Sequence, residues 1–170
     1  MKAALSALGL IAVAVALSSC AGYRLGEAKP NSLKKIHKIA VKTFHNTTYV
    51  PRVESLVTNT VIKQLQQDGT YEISSIDEAD AVLEGTVKGI GRAPARSLRG
   101  NVLATTEFNL SVIVGWSLKA KDGRSLGAAD VAGSTSFFVG SDVNTDERQA
   151  IPLAAEDLAV RLVSQISEGW

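Results

Sequence analysis

The sequence predicts an α+β fold: a two-layer sandwich in which a mixed four- to five-stranded sheet carries two helices on one face. Three observations lead to this prediction. A helical pattern follows the first strand pattern, a long central stretch alternates with period two, and a second helical pattern follows the last strand. A helix between the first strands implies a parallel crossover, whereas the later hairpin is antiparallel.

The first half of the domain is predicted to be strand, helix and strand. The strand covers residues 36–44, and the helix begins at Pro51, whose missing N–H is not needed in the first turn. Asp68-Gly69 is a typical helix end, and residues 71–76 form the next strand. The apolar residues of the helix recur at steps of three and four, so they share one face that packs on the sheet: Val53, Leu56, Val57, Val61 and Leu65.

The second half is predicted to be a strand followed by an antiparallel β-hairpin. Residues 81–90 form a strand with several glycines. Residues 105–120 alternate between apolar and mostly polar side chains, which indicates a strand with one buried face. Asp122-Gly123 is the favoured pair for a type I′ turn, and residues 126–139 return as the partner strand.

The last element is predicted to be a helix that begins at Pro152. Asn144 and Glu147 have the spacing of a capping box and offer an earlier start. The apolar stripe of this helix comprises Ile151, Ala154, Ala155, Leu158, Leu162 and Ile166.

The first twenty residues predict export and lipidation. Lys2 precedes an apolar stretch that ends at Leu17, which is typical of a secretory signal and too short for a stable membrane span. Leu17-Ser18-Ser19-Cys20 matches the bacterial lipobox, and Cys20 is the only cysteine, so it has no disulfide partner. We therefore predict cleavage before Cys20 and a membrane anchor of acyl groups on its sulfur and amino group. The alternative is an ordinary signal peptide that ends in a chance cysteine.

These features divide the chain into three parts. Residues 1–19 are the lipoprotein signal peptide, residues 20–33 the lipidated N-terminus and tether, and residues 34–170 a single domain. Ala21, in place of aspartate, favours passage to the periplasmic face of the outer membrane.

Charge excludes a general attraction to nucleic acid. The chain has 18 basic and 17 acidic side chains, and cleavage removes Lys2, so 17 of each remain. Two local basic clusters are candidate contacts for the phosphates of an anionic amphiphile, with a solvated charged face as the alternative. The first choice lies on the predicted loop between two strands, Arg92, Arg96 and Arg99, and the second choice comprises Lys34, Lys35 and Lys38.

The sequence contains no recognisable catalytic or metal-binding motif. Cys20 is assigned to acylation, and His37 and His45 do not have metal-ligand spacing. The sequence has no nucleophile elbow and no phosphate-cradling loop. We therefore expect no enzyme activity, no metal and no cofactor apart from the covalent acyl groups.

Several segments, in order along the chain, resemble the lipopolysaccharide-assembly lipoprotein family LptE. They are CAGYRLG at residues 20–26, IAVKTFHNTT at residues 39–48, the helix at residues 54–69, ADAVLEGT at residues 79–86 and the tail at residues 146–170. Each segment alone is weakly specific, whereas their order together is fairly specific. The resemblance covers nearly all of the predicted mature chain.

The resemblance implies an outer-membrane lipoprotein that sits as a plug inside the β-barrel protein LptD, helps that barrel to fold and helps to deliver lipopolysaccharide to the outer leaflet. It transfers no site residue by position, so the arginine and lysine candidates rest on charge alone. The rival interpretation is a periplasmic adaptor lipoprotein that activates a cell-wall synthase or forms part of a secretion pore.

Overall fold

The computed structural model describes residues 29–98 and 101–168. The predicted signal peptide, Cys20, most of the tether and Arg99 lie outside the described residues. The elements, in chain order, are a 3-10 turn at Asn31–Leu33, then β1 Lys38–Val41, β2 His45–Asn46, α1 Val53–Asp68, β3 Glu72–Ile73, β4 Ala81–Leu98, β5 Asn101–Ala120, β6 Ser125–Phe138 and α2 Val143–Glu168.

These elements confirm the predicted α+β sandwich. The strands form one mixed sheet in the order β3-β1-β4-β5-β6, with β2 also paired to β4. β1 is parallel to β3 and β4, whereas β4, β5 and β6 form the antiparallel meander. Helices α1 and α2 pack against each other and cover one face, called the inner face below. The other, outer face carries no helix of the described chain.

The sheet has six strands because β1 ends at Val41, within the predicted strand at residues 36–44, and a further short strand, β2, follows at residues 45–46. Between them the backbone leaves the ladder so that Phe44 can enter the core, where it is 2 % exposed. The Phe44 N–H donates to Thr58 Oγ1 of α1 at 2.9 Å, which satisfies a group that the sheet no longer pairs.

The predicted apolar faces form the core. Val53, Val57, Val61 and Leu65 of α1 are buried and Leu56 packs against them. All six stripe residues predicted for α2 are buried, as are Leu110, Val112, Val114, Trp116 and Leu118 of β5, whose intervening residues are more exposed. Burying each such large side chain stabilises the fold by ~1.5–3 kcal/mol, so these faces supply the main driving force.

The helix starts differ from the prediction. Helix α1 begins at Val53, after Arg52 in the left-handed region (φ 64°), so Pro51 belongs to the preceding turn. Its end is as predicted, because Gly69 (φ 73°) donates its N–H to the carbonyl of Leu65.

Helix α2 begins nine residues before Pro152, at Val143, so the predicted start is wrong. Asp142 explains this start, because its Oδ1 accepts the N–H of Asn144 at 3.0 Å and so caps the first turn. The helix continues through Pro152, which lies on its exposed side. Neither Asn144 nor Pro152 is therefore the cap.

Two corrections concern the meander. β4 continues to Leu98 rather than ending at Ile90, so Arg92 and Arg96, which were predicted on a loop, lie on a strand. Residues 121–124 connect β5 to β6, and their turn is not type I′, since Gly123 alone among them has positive φ (84°), whereas type I′ also requires positive φ at Asp122. The Gly123 N–H donates to the carbonyl of Ala120 at 2.9 Å and closes this loop.

Candidate functional site

The two predicted basic clusters lie at opposite ends of the sheet. Lys38 begins β1, whose next residue pairs with Ala81 at the start of β4. Arg92 and Arg96 lie 11 and 15 residues further along β4, which at ~3.3 Å per residue is roughly 36 and 50 Å away. We call Lys34, Lys35 and Lys38 the proximal cluster, and Arg92 and Arg96 the distal cluster.

Arg92 is held by the first turns of α2 and by an aromatic pair. Its guanidinium forms an ion pair with Glu147 of α2 and lies 5.3 Å from the centre of the Phe108 ring. That ring stacks on Phe137 of β6, with centroids 5.8 Å apart. The arginine is therefore fixed in orientation at the distal end of the helix layer, with its side chain 35 % exposed.

Arg96 is more accessible. Its Nη1 lies 3.5 Å from Glu107 Oε2 of β5, and its side chain is 71 % exposed. Glu107 pairs across the sheet with Phe138, a large apolar side chain that is 68 % exposed. The distal end thus combines an exposed guanidinium with an exposed aromatic ring.

The proximal cluster is spread over a turn and a strand. Lys34 and Lys35 are exposed in the turn before β1, and Lys38 lies 4.0 Å from Glu72. Asp80 adds negative charge here. Its Oδ2 accepts hydrogen bonds from the backbone N–H groups of His37 and Lys38, each at 2.9 Å. The hydrogen bond from Lys38, then that from His37, lowers the pKa of Asp80 below its ordinary value.

A third charged group, on the outer face, was not predicted. Lys42 and Lys119 lie 2.7 and 2.8 Å from the two carboxylate oxygens of Glu84, and Lys88 lies 2.6 Å from Asp130. Hydrogen bonds from Lys119 and Lys42 lower the pKa of Glu84 to about 2. All of these side chains except Lys119 line an open depression of about 770 Å³, which Gly115, Ser117 and Ala128 also line.

The sequence did not predict this group because its members come from three strands, β4, β5 and β6, and from Lys42, which follows β1. Outward-facing Glu84, Lys88 and Lys119 each follow the strand alternation, but nothing in the sequence says that β5 lies between β4 and β6. Sheet order brings the charges together, and order is the property that a single sequence encodes least directly.

Residues 29–98 and 101–168 contain neither a metal-binding group nor a membrane-spanning helix. No three histidine, cysteine, aspartate or glutamate side chains in these ranges are grouped so that they could hold a metal ion. Of the helices in the same ranges, none is long and apolar enough to cross a membrane.

Comparison with known families gives one match. The model of the family LptE, described as lipopolysaccharide-assembly, matches residues 36–166. This range includes every strand and both helices apart from the last two residues of α2. A comparison with curated protein sequences finds no match.

Solved structures of similar fold come from several bacterial lipoproteins. A minor lipoprotein from Acinetobacter baumannii is 16 % identical with a TM-score of 0.53, and the match covers 79 % of this chain and 94 % of that one. A dodecamer of PelC from Paraburkholderia phytofirmans is 15 % identical, TM-score 0.52, covering 84 % and 95 %. Lipoprotein B from Nitrosomonas europaea is 10 % identical, TM-score 0.51, covering 86 % and 88 %. At these identities the likeness shows the fold alone.

Proposed function

Because the chain belongs to the LptE family of lipopolysaccharide-assembly proteins, we propose that it is the lipid-anchored plug of an outer-membrane lipopolysaccharide translocon. Its partner is the β-barrel protein LptD, which it helps to fold, and together they deliver lipopolysaccharide to the outer leaflet. The family match over residues 36–166 carries this proposal. The proposal includes no catalytic activity.

The outer face supports a place inside a barrel. Large membrane barrels have polar interiors, so a plug must present polar and charged groups without a large apolar patch. Lys42, Glu84 and Lys119 form such a surface, in which each charge has a partner. Placing paired charges in a confined lumen costs less free energy than placing single charges there, because a buried charge without a partner loses its hydration uncompensated.

The distal cluster supports direct contact with lipopolysaccharide. Lipid A and the inner-core sugars carry phosphates in many bacteria, and a guanidinium binds phosphate through two parallel N–H groups. Arg96 has a largely exposed guanidinium, and the exposed Phe138 ring nearby offers the apolar contact that an amphiphile also requires. Arg92 lies on the opposite face of the sheet, since its strand partner Leu110 faces the helices and its guanidinium pairs with Glu147, so it is proposed as a separate phosphate contact. Arg99, outside the described residues, is the third proposed contact. The proximal cluster of Lys34, Lys35 and Lys38 is the second choice.

Binding of purified lipopolysaccharide by the detergent-solubilised full chain tests this site. Replacement of Arg92, Arg96 and Arg99 by alanine is expected to lower affinity by roughly 10- to 100-fold at low salt, since each basic side chain near an anionic lipid surface contributes ~1 kcal/mol. The matched control replaces Lys63, Lys121 and Arg124, three exposed basic residues outside both clusters, and is expected to bind normally. If the two triple variants bind lipopolysaccharide equally and their melting temperatures are unchanged, the arginines do not contribute to the binding site.

A further inference from the structure

The outer edge of β6 exposes backbone groups. Strand β6 is the last strand of the sheet order, so it has a described neighbour on one side only. The N–H of Val139 points toward β5 and donates to the carbonyl of Thr106 at 3.0 Å, while that of Ser134 points away and donates to Asp157 Oδ2 of α2 at 2.9 Å. The backbone N–H and C=O groups of successive residues in a strand point toward opposite edges of that strand. The backbone groups of Ala128, Asp130 and Ala132 therefore also point away from β5.

Two other edges of the described sheet are protected against further pairing. Strand β3 has only two residues and so offers little backbone to a partner. The part of β4 beyond its pairing with β2 contains Pro94, which has no N–H, and Arg92 and Arg96. On β6, Asp157 occupies the edge at Ser134. Residues 128–132, called the open edge below, have neither proline nor lysine, and Asp130 is their one charge.

A groove runs along the open edge. Its volume is about 400 Å³, and it lies between residues 130–132 of β6 and the α2 residues Val160, Arg161, Ser164 and Gln165. Val160 is an apolar side chain that is 51 % exposed on α2. A strand laid against β6 would therefore gain backbone partners on one side and an apolar contact from the helix above.

We propose that the open edge binds an extended segment of the β-barrel partner by adding it to the sheet as a seventh strand. This inference rests on the proposed function, which supplies the partner. In a closed barrel the wall strands are already paired on both sides, so the segment comes from a part of the partner outside that wall. Three N–H and three C=O groups of β6 recognise its backbone, which no lipid or sugar could satisfy in the same way.

Charge disfavours a second copy of this chain as the occupant. In a two-fold pairing that uses Ala128, Asp130 and Ala132 of both copies, Ala128 faces Ala132 and Asp130 faces its own equivalent. Like charges directly opposite each other destabilise an antiparallel pair. A segment with an uncharged or basic residue at that position avoids this repulsion, and a basic residue adds attraction.

Two substitutions test the open edge in the full chain, each measured by recovery of the barrel in a mild-detergent pull-down. Ala132→Pro removes one outward-pointing N–H at an edge position, where proline is tolerated. Val160→Lys places a charge in the groove and leaves the β6 backbone intact. Each is expected to lower barrel recovery about tenfold. The matched control is Leu153→Lys, an apolar residue of α2 that is 54 % exposed and does not line the groove.

Hydrogen exchange of individual amides distinguishes binding at the open edge from a general loss of folding. In the isolated chain the amides of Ala128, Asp130 and Ala132 should exchange rapidly, while those of Ala129 and Val131, which face β5, should be protected. In the purified complex with the barrel all five should be protected. Unchanged melting temperatures of the variants show that their folds are intact.

The outcomes separate this inference from the proposed function. If the unaltered chain recovers no barrel, both are wrong. If it recovers the barrel, but both variants recover as much as Leu153→Lys, or the three outward amides stay unprotected in the complex, the open-edge inference alone is wrong. Self-association of the pure chain that Ala132→Pro abolishes would also overturn it, since the occupant would then be a second copy.

Discussion

At the scale of single residues, Gly133 shows how closely helix and sheet approach. A Cβ atom at this position would meet backbone atoms of Leu158 and Ala154 in α2, which cannot swing aside as a side chain does. Gly133→Ala is therefore expected to lower the free energy of unfolding by ~1–3 kcal/mol, measured by chemical denaturation. Gly91→Ala is the control, because a Cβ there meets nothing within 4 Å. Similar losses in both variants would contradict this packing.

Also at this scale, Glu84 makes stability depend on pH. Its pKa falls from 4.5 to about 2 in the folded chain because Lys119 and Lys42 donate to its carboxylate. A carboxyl group with a lowered folded pKa contributes stability above its unfolded pKa and loses it as pH falls through the folded pKa. Exposed ion pairs contribute ~0.2–1 kcal/mol each, so Glu84→Gln is expected to cost about 0.5–2 kcal/mol at pH 7. This difference should shrink between pH 4.5 and pH 2, and a constant difference would refute the assignment.

At the scale of elements, hydrophobic periodicity predicted the helices and strands that pack in the core and missed the exposed end of β4. Both helix faces and the alternation of β5 were predictable because burial selects apolar residues at the helical or strand period. Residues 91–98 gave no such signal, since this part of β4 extends past most of the helix layer and the side chains of residues 91–97 are largely exposed. The candidate arginines were thus predicted as a basic cluster but assigned to a loop. The ion pairs with Glu147 and Glu107 depend on strand register and helix placement, which the sequence does not state.

The projecting part of the β4–β5 hairpin is expected to open more readily than its base. Between residues 81–87, β4 has β5 on one side and β1 or β2 on the other for much of its length, whereas beyond its pairing with β2 it has β5 alone. Native-state hydrogen exchange should therefore show faster exchange for the amides of residues 91–98 than for those of residues 81–87. Equal protection in the isolated chain would indicate that the hairpin tip has a further partner in solution.

At the scale of the whole molecule, the predicted anchor and the distal cluster set an orientation. Lys29, the first described residue, is nine positions after Cys20, and an extended chain spans at most ~3.6 Å per position, or roughly 32 Å. The described chain begins next to the proximal end of the sheet, whereas Arg92 and Arg96 lie toward the distal end. We therefore propose that the lipid anchor attaches on the proximal side. A plug held in this way would present its distal cluster away from its own anchor.

Loss of the anchor should release the protein from the membrane. Acyl chains contribute ~0.8 kcal/mol per buried methylene, so two or three of them hold a protein firmly. Cys20→Ser is expected to move the protein from the membrane pellet to the soluble fraction, followed by immunoblotting of both. The control is Ser19→Ala, which keeps the thiol and a small residue before it. Retention of Cys20→Ser on membranes from cells that lack the barrel partner would contradict lipid anchoring.

The place of this chain in a translocon is tested most directly by its stoichiometry with a barrel. The tagged, unaltered protein would be recovered from outer membranes in mild detergent and its partners identified and quantified by mass spectrometry. The account predicts one large β-barrel protein in a ratio near one to one, with lipopolysaccharide in the same complex. Recovery of a cell-wall synthase, of a ring formed by this chain alone or of no partner would contradict it.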